Sequence, residues 1–403
     1  MSNTVYFSNP GVICAAGSSI GELWNACLSG SQNGIKRVTA IGGKEFYAGR
    51  IEDSLLTPVS DARYDMRIIR ILEKALNQIQ QSVDKVKARY GADRIGVFIG
   101  ACDNGSEFSL AGHREFFASG NFSSEYILDM QSADYPAAFI KEKCGLTGPS
   151  FVFATACSSS ASAVIKARDM ILAGIIDAAV VGGVDIASDT VLLGFDSLEA
   201  VSDEKTNPFS KNRKGITLGE GAALFVVSKD AADVADNTNG ITIKLLGAGE
   251  SADANHMTAP LEDGSGAAQA IREAFADSGL EPCDVGYLNL HGTGTHLNDS
   301  MESKAVSEVF GECVKELPVS STKPLMGHTL GASGAIELAI CTQALRCADQ
   351  KKLPVHVWDG QYDEEIPRLN FVKEGDVCKE EIKIAMSNSF GFGGCNVSLI
   401  IGR

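Results

Sequence analysis

Short apolar segments alternate with amphipathic helical segments along almost the whole chain, and this alternation constrains the fold more than any other feature. Predicted strands of the first half are RIGVFIGA, FVFATA and DAAVVGGVD, and those of the second are GITIKLLGAG, VGYLNLHG and EIKIAMSNSF. Helical segments separate these strands, and the clearest has apolar residues at helical spacing, namely Ile68, Leu72, Leu76, Ile79 and Val83. Such a chain is expected to form α/β sheets covered by helices.

The turn-rich segment DVADNTNG divides this pattern into two related but unequal halves. We expect one half to span residues 1–240 and the other to span residues 241–403. Each half has a strand that ends in a chemically reactive residue, which is Cys157 in the first half and His291 in the second. Ligands of α/β proteins usually bind beyond the carboxyl ends of strands, so these residues mark the predicted site.

The composition excludes several classes of protein. The 403 residues carry a formal net charge of -16, so the chain repels phosphate backbones and nucleic acid is not an expected partner. No stretch reaches the roughly 18 apolar residues needed to span a membrane, and the N-terminus lacks a secretory signal pattern. The 11 cysteines are odd in number and include no C-x-x-C pair, which predicts reduced thiols in a cytoplasmic protein without a zinc site.

Cys157 lies where the predicted strand FVFATA gives way to a helix, in the segment SFVFATACSSSASAVIKARD. Backbone N–H groups in a first helical turn favour the thiolate and so increase nucleophilicity near neutral pH. A cysteine is more often a small buried hydrophobic residue, so a catalytic role requires reactive groups nearby. Two of the six histidines offer such groups, His291 in NLHGTGTHLND and His328 in STKPLMGHTLGASGAIE.

Four segments occur in order along the chain: TACSSS, HGTGTHLND, STKPLMGHTLGASGAIE and NSFGFGGCN. Together they resemble the signature segments of the elongating β-ketoacyl-acyl carrier protein synthases of the thiolase superfamily, over essentially the whole chain. The resemblance implies a thiolase-like fold, with two similar βαβαβ-type halves in a five-layer αβαβα sandwich. It also implies decarboxylative Claisen condensation with malonyl-acyl carrier protein, in fatty acid or polyketide elongation. The serines after Cys157, and the sequence as a whole, are more similar to ketosynthases of aryl-polyene or other specialised clusters than to housekeeping fatty-acid enzymes.

The same resemblance implies roles for individual residues. Cys157 would take the acyl chain, while His291 and His328 would bind the malonyl thioester and promote its decarboxylation. Backbone N–H groups of Cys157 and Phe392 would form the oxyanion hole, and Phe392 would gate the acyl pocket. Residues expected to bind substrate are Thr293, Thr295 and Phe390, and those expected to hold the histidines are Lys323, Asp299, Glu302 and Glu337. No metal is expected, and no cofactor beyond the phosphopantetheine of the carrier protein.

The chain departs from the family pattern at Asn207, where relatives often have an arginine that contacts the carrier protein. Because the net charge is -16, attraction of an acidic carrier protein would require a local basic patch. The alternative is a solvated helix face plus a structural turn. Candidate residues for the patch are Arg63, Arg67, Arg70, Lys205, Lys211, Arg213 and Lys214.

Asp103 is a second departure, because relatives often place an apolar residue near this position at the end of the acyl tunnel. A buried carboxylate is costly without partners. The residue therefore predicts a tunnel end that is polar or is completed by a different subunit. The alternative is that Asp103 caps a turn.

Other functions remain open from the sequence. The chain could be a catalytically inert partner of the chain-length-factor type, although such partners usually lack the cysteine. It could be a thiolase acting on coenzyme A thioesters, with Cys395 as the second cysteine. A papain-like hydrolase shares the Cys/His chemistry but fits the strand–helix pattern poorly. The expected assembly is a homodimer, or a heterodimer with a homologous chain-length-factor subunit.

Overall fold

The computed structural model describes residues 4–124, 126–235, 240–378 and 380–403. Residues 236–239 of the predicted boundary segment lie outside the described residues. The strands are β1 Tyr6–Phe7, β2 Gly11–Cys14, β3 Ile35–Thr39, β4 Glu45–Gly49, β5 Ile95–Gly100, β6 Ser150–Phe153, β7 Ala178–Asp185, β8 Leu218–Gly219, β9 Gly221–Ser228, β10 Ile243–Ala252, β11 Tyr287–Asn289, β12 Pro318–Ser320, β13 Asn370–Phe371, β14 Ile384–Phe390 and β15 Cys395–Gly402. The helices are α1 Ile20–Ser29, α2 Arg67–Tyr90, α3 Ser106–Ser119, α4 Tyr135–Cys144, α5 Ser159–Leu172, α6 Asp189–Ser197, α7 Ala231–Val234, α8 Ser265–Ser278, α9 His296–Phe310, α10 Lys323–Met326 and α11 Ser333–Arg346.

A large mixed sheet runs through both halves, in the order β13-β12-β11-β14-β15-β10-β1-β9-β7-β5-β6, with β2 paired to β9. The halves meet at the short strand β1, which pairs antiparallel with β9 on one side and β10 on the other. Each half repeats one plan. Parallel strands, β6-β5-β7 or β12-β11-β14, continue into an antiparallel partner, β9 or β15.

Helices α5 and α11 form a central layer between the two halves of the sheet. Helix α5 packs on β5 and β7 and also reaches β15, while α11 packs on β14 and also on β9. Helices α2 and α4 cover the outer face of the first half, and α8 and α9 cover that of the second. The layers therefore follow the order αβαβα, and the predicted thiolase-like fold class is confirmed.

Small residues let the two central helices approach each other closely. A Cβ atom at Gly334 of α11 would lie only 2.9 Å from the Cβ of Ala161 on α5. A larger side chain at either position would push the helices apart, since such a distance is below normal van der Waals contact. The close packing brings the N-termini of α5 and α11, and the turns that precede them, to one place.

Strand β6, which precedes Cys157, is only partly buried. Strand β6 lies at the edge of the large sheet and pairs only with β5 in the described residues. Phe151 in its middle is 48% exposed. An apolar run alone does not reveal which strand will be at an edge, because strand order is set by long-range pairing.

Cysteine usage also differs from the expectation of reduced thiols throughout. Cys283 and Cys313 form a disulfide whose Cα atoms lie 5.3 Å apart, and the other nine cysteines are in the thiol form. The prediction was wrong for this pair, since residues 30 positions apart approach only once α9 packs against the 3₁₀ turn Pro282–Asp284 that contains Cys283. Among the described residues, none of the helices has the length and apolar character required to cross a membrane.

Candidate active site

Cys157 lies in a strained turn at the start of α5. Ala156 has a φ of 51°, in the left-handed region that residues other than glycine rarely adopt, and residues Ala156–Ser158 form a single 3₁₀ turn. The serines that follow fasten the turn, because Ser159 Oγ accepts the N–H of Thr155 at 2.9 Å and Ser158 Oγ donates to its carbonyl at 2.8 Å. The strand-to-helix junction thus holds the buried thiol in a fixed position.

His328 lies beside this thiol, on the loop between α10 and α11. Its Nε2 atom is 3.0 Å from Cys157 Sγ. Its Nδ1 atom accepts the backbone N–H of Leu330 at 3.3 Å and lies 2.9 Å from the hydroxyl of Ser333. A backbone N–H can only donate, so the proton of the neutral imidazole lies on Nε2, directed at the sulfur.

His291 follows β11 and faces the same space, with its ring centroid 5.3 Å from that of His328. The buried ammonium group of Lys323 lies 3.3 Å from His291 Nδ1, donates to the His291 carbonyl, and is 2.5 Å from Glu337 Oε1. All three ammonium hydrogens thus have acceptors. Since Nδ1 of His291 accepts as well, both imidazoles present Nε2–H to the cavity.

Two buried carboxylates hold the backbone of the loop that contains His291. Glu302 accepts the N–H groups of His291 and Gly292, each at 2.7 Å. Asp299 accepts the N–H groups of Phe209 at 2.7 Å and Thr293 at 3.1 Å. Burial raises the pKa of Glu302 to about 8, although the two N–H groups oppose this shift. Both carboxylates therefore act on the peptide backbone and not on the imidazole ring.

The electrostatic state of the thiol differs from the sequence argument. Burial raises the pKa of Cys157 to about 11, while the charge of Lys323 and the backbone N–H of Phe392, which hydrogen-bonds Cys157, act in the opposite direction. Burial, and then Lys323, hold the pKa values of His291 and His328 well below their ordinary value. Desolvation raises the thiol pKa by more than the N–H groups of the first helical turn lower it. The resting state is therefore a neutral thiol beside two neutral imidazoles.

A cavity of about 270 Å³ opens in front of these groups. Of the residues expected from the sequence, its walls include Cys157, His291, His328, Thr293, Thr295, Phe390 and Phe392. The sequence analysis missed Phe195 on α6, whose ring stacks on Phe392 with centroids 5.8 Å apart. It also missed residues 258–260. Neither segment follows a predicted strand end, so no sequence signal pointed to them.

The donor atoms of Cys157, His291 and His328 all lie within 4.8 Å of one another. By donor type and spacing, such a group could hold a metal ion. The sequence predicts no metal here, and that expectation stays a prediction. Lys323 is also in contact with His291, and a fixed positive charge so close disfavours a cation in the cavity.

Asp103 does not line the cavity. Its carboxylate accepts the N–H groups of Gly105 at 2.8 Å and Ser106 at 3.2 Å, at the start of α3, and the hydroxyl of Tyr135 at 2.9 Å. The structure therefore supports the turn-capping alternative, and the polar tunnel end stays a prediction. These partners also explain how a carboxylate can be buried at this position.

Two members of the candidate basic patch have structural contacts that make them unsuitable for docking. Arg67 is mostly buried and pairs with Glu220 at 2.5 Å. Arg213 is buried and pairs with Asp363 at 2.5 Å. Their partners lie 153 and 150 positions away in sequence, so their burial could not be read from local pattern.

The other members of the patch lie at the surface. Arg63, Arg70 and Lys214 each pair with a neighbouring carboxylate at 2.6–2.8 Å. Lys205 and Lys211 are exposed, and neither forms an ion pair with any residue that the structure describes. Of the seven candidates, these two lysines retain the most charge available to a partner.

Cys395, the second cysteine required by the thiolase alternative, lies at the start of β15. It is absent from the cavity walls among the described residues, although its neighbours Gly394 and Asn396 belong to them. Among the described residues, Cys157 is the cysteine that the structure groups with the two histidines. This arrangement favours a single cysteine nucleophile over thiolase chemistry.

Comparison with known proteins agrees with this geometry. Residues 66–232 match the β-ketoacyl synthase N-terminal domain, and residues 243–354 match the β-ketoacyl synthase C-terminal domain. The chain is 32% identical to 3-oxoacyl-[acyl-carrier-protein] synthase 2 of Staphylococcus aureus strain COL, covering 98% of this chain and 97% of the relative. It is also 32% identical to the enzyme of that name from Vibrio cholerae, covering 99% of both chains.

Solved structures give the same result. The ketosynthase ApeO of Xenorhabdus doucetiae, determined in complex with its chain length factor ApeC, is 36% identical and superimposes with a TM-score of 0.87, covering 99% of this chain and 97% of ApeO. A β-ketoacyl synthase from Burkholderia phymatum is 25% identical, with a TM-score of 0.84 and 99% of both chains covered. With both domains matched and relatives aligned over nearly their full length, the chain belongs to the β-ketoacyl synthase family.

Proposed function

We propose that this chain condenses an acyl group, held as a thioester on Cys157, with malonyl-acyl carrier protein to give a 3-oxoacyl-acyl carrier protein. The observation that carries the proposal is the arrangement of the cavity. One cysteine sulfur lies 3.0 Å from an imidazole Nε2, and a second imidazole faces the same space. A nucleophile and two neutral hydrogen-bond donors are the groups that this reaction requires.

In the first half-reaction, Cys157 Sγ attacks the carbonyl carbon of an acyl-carrier thioester. The carbonyl oxygen becomes an oxyanion that accepts the N–H groups of Cys157 and Phe392, and each such donor contributes about 3 kcal/mol to the transition state. The C–S bond to the carrier then breaks, and the carrier thiol leaves with the proton that Cys157 gives up. The high thiol pKa means that the proton must be transferred during attack and not beforehand.

In the second half-reaction, malonyl thioester enters the cavity and loses its carboxylate as carbon dioxide. The electron pair of the broken bond forms an enolate, whose oxygen accepts Nε2–H from His291 and from His328. The enolate carbon attacks the acyl-Cys157 carbonyl, and Cys157 leaves as a thiolate. Burial, and then the charge of Lys323, keep both imidazoles neutral, so that they stabilise the enolate by donation without fully transferring a proton.

We further propose that Thr293 and Thr295 bind the pantetheine arm, since their hydroxyls lie 3.1 Å apart on the cavity wall. Lys205 and Lys211 would contact the acidic carrier protein. No free cofactor is needed, because the carrier supplies the phosphopantetheine. The proposed compartment is the cytoplasm, where such carriers are charged, although the Cys283–Cys313 pair would then form in a reducing environment.

The proposed state of the enzyme is a dimer, either with a second copy of this chain or with a homologous subunit of the chain-length-factor type. ApeO was determined with such a factor. In this chain the exposed edge strand β6, with Phe151 half-exposed, has unpaired backbone groups that a second chain could cover. Proteins rarely leave an apolar edge of this kind open. An aryl-polyene or similar specialised product is the proposed pathway class.

The experiment that tests the proposal is intact-mass analysis with an acyl-carrier thioester and then with malonyl-carrier protein, followed by peptide mapping. We expect one acyl adduct, on Cys157, which malonyl-carrier protein discharges as a 3-oxoacyl product. Cys102→Ser is the matched control, since this second thiol lies near the turn of Cys157 but hydrogen-bonds the Ala156 carbonyl, Ser159 and Asp185 and is not part of the cavity walls in the described residues. No adduct with any acyl chain on a folded protein, alone or with the partner subunit, would refute the proposal.

A further inference from the structure

Asp185 is a buried carboxylate that the proposed reaction does not use. It ends strand β7, at the carboxyl edge of the first half of the sheet, and is 0% exposed. Its Oδ2 atom accepts the backbone N–H of Cys102 at 3.0 Å and that of Gly331 at 2.7 Å. The carboxylate therefore connects the half that carries Cys157 to the turn that follows His328.

Gly331 leaves just enough space for this contact. A Cβ atom at Gly331 would lie 2.7 Å from Asp185 Oδ2 and 3.0 Å from the Cα of Ala101. Both distances are too short for a normal contact. The carboxylate occupies the volume that any side chain at position 331 would need, so the turn and the carboxylate are shaped to fit each other.

The Gly331 N–H comes directly after the strained residue of the turn. Leu330 has a φ of 49°, which is unfavourable for a branched side chain and requires support from its surroundings. In this conformation the Leu330 N–H donates to His328 Nδ1. The next N–H along the chain, that of Gly331, donates to Asp185 and provides such support.

We propose that Asp185 is a positioning residue, which holds the Leu330 turn so that the proton of His328 stays on Nε2. Without the acceptor, the Gly331 N–H would be left unpaired in a buried place, and the turn would relax towards ordinary backbone angles. The Leu330 N–H would then move away from Nδ1. His328 could adopt the other tautomer, in which Nε2 bears no proton and cannot donate to an enolate.

The inference rests on the proposed role of His328, but its first readout does not depend on activity. Nitrogen NMR of ¹⁵N-histidine-labelled enzyme, with His328→Asn used for assignment, reports which ring nitrogen bears the proton. We expect the Nε2–H form in the unaltered enzyme and in Asp185→Asn, whose amide oxygen remains an acceptor. In Asp185→Ala we expect a mixture of tautomers.

Kinetics give the second readout. In Asp185→Ala, kcat for malonyl decarboxylation should fall about tenfold with KM within about twofold, because the lost donor acts mainly in the transition state. Asp185→Asn should recover most of this loss. Gly331→Ala keeps Asp185 but displaces its carboxylate, so it should also lower kcat and leave KM nearly unchanged. This variant provides the test if Asp185→Ala does not fold.

Asp233→Ala is the matched control. Asp233 is a buried carboxylate that accepts hydrogen bonds from Arg89, Tyr90 and Ser228 on the outer side of the first half. Its loss should lower the unfolding temperature without altering the His328 tautomer. An unchanged tautomer in both Asp185→Ala and Gly331→Ala would overturn the inference, as would an equal kcat loss in Asp233→Ala. If the unaltered enzyme has the Nε2–H tautomer but no decarboxylation, the proposed function fails and the positioning role is still tested by NMR.

Discussion

The turn that carries Cys157 and the turn that follows His328 have the same backbone design. Each places one residue in the left-handed region, Ala156 with a φ of 51° and Leu330 with a φ of 49°. In each, the left-handed residue is the first of a 3₁₀ turn, and one of the two central helices begins directly after that turn. The two halves of the molecule therefore share one strained turn conformation at the place where their central helices meet.

The difference lies in the residue after the strained one. In the first turn it is Cys157, whose thiol enters the cavity, and in the second it is Gly331, whose missing side chain admits the carboxylate of Asp185. The second turn instead contributes His328, two residues before the strained Leu330. A common backbone can thus present a nucleophile or orient a proton donor, depending on what fills one position.

The largest expected effect is the loss of a different reaction step when the reactive residue of each turn is replaced. Cys157→Ala should reduce condensation by more than about a thousandfold while malonyl decarboxylation remains measurable, because the histidines are intact. His328→Ala should still form acyl-Cys157 but should nearly lose decarboxylation, and condensation with it. Mass spectrometry of the adduct and release of carbon dioxide measure the two steps. If both variants lost both steps equally, the division of labour between the turns would be wrong.

A second prediction concerns the buried ion pair between Lys323 and Glu337, which lies close to the second turn. Glu337 lies six residues after Gly331, and Ala163 lies six residues after Cys157. Glu337→Ala should lower the free energy of unfolding by about 3 kcal/mol, because Lys323 is left as an unpaired buried cation. Urea unfolding measures the loss, and Glu337→Gln, which keeps an acceptor, should lose less. An equal loss in the two variants would show that the carboxylate charge, and not the hydrogen-bond acceptor, stabilises Lys323, and no loss in either variant would show that the charge is not important.

The pH dependence of Cys157 alkylation tests which effect dominates the thiol pKa, burial, which raises it, or the N–H groups at the start of the helix, which lower it. The thiolate is the reactive form, and a pKa raised to about 11 means that its fraction grows with pH throughout the neutral and mildly alkaline range. Iodoacetamide labelling of the free enzyme should therefore accelerate about tenfold per pH unit from pH 7 to 9, without a plateau. Quantitative peptide mapping provides the rates. A plateau with a midpoint near pH 7 would show that the helix end outweighs desolvation.

The smallest expected effect tests the strain itself. Ala156→Gly should change the free energy of unfolding by less than about 1 kcal/mol, and in the stabilising direction, because glycine adopts a positive φ without penalty. The same substitution at Ala163, inside α5, should destabilise by about 1 kcal/mol. Chemical denaturation of both variants makes the comparison. Equal losses at the two positions would show that Ala156 is not strained.

Much of the fold could be predicted from the sequence, because it follows from local pattern. The apolar stripe of α2 is buried, and segments such as RIGVFIGA and DAAVVGGVD form strands β5 and β7. Cys157, His291 and His328 attracted attention because each follows an apolar run and has small residues beside it. The structure brings these three together.

What the sequence could not predict depends on partners distant in the chain. The burial of Arg67 depends on Glu220, and the role of Asp185 depends on Gly331, which is 146 positions away. The pKa of Cys157 depends on how completely other layers cover it, and this outweighed the local effect of the helix end. The exposure of β6 likewise depends on strand order, which no local pattern encodes.

The disulfide between Cys283 and Cys313 has a topological consequence for the site. The two cysteines enclose a covalent ring that contains His291, Thr293, Thr295 and helix α9. A protease that cuts the backbone anywhere inside this ring leaves the chain in one piece as long as the bond is intact. Such a nicked enzyme would migrate as a full-length chain on a gel without reductant and would separate into two fragments only after reduction.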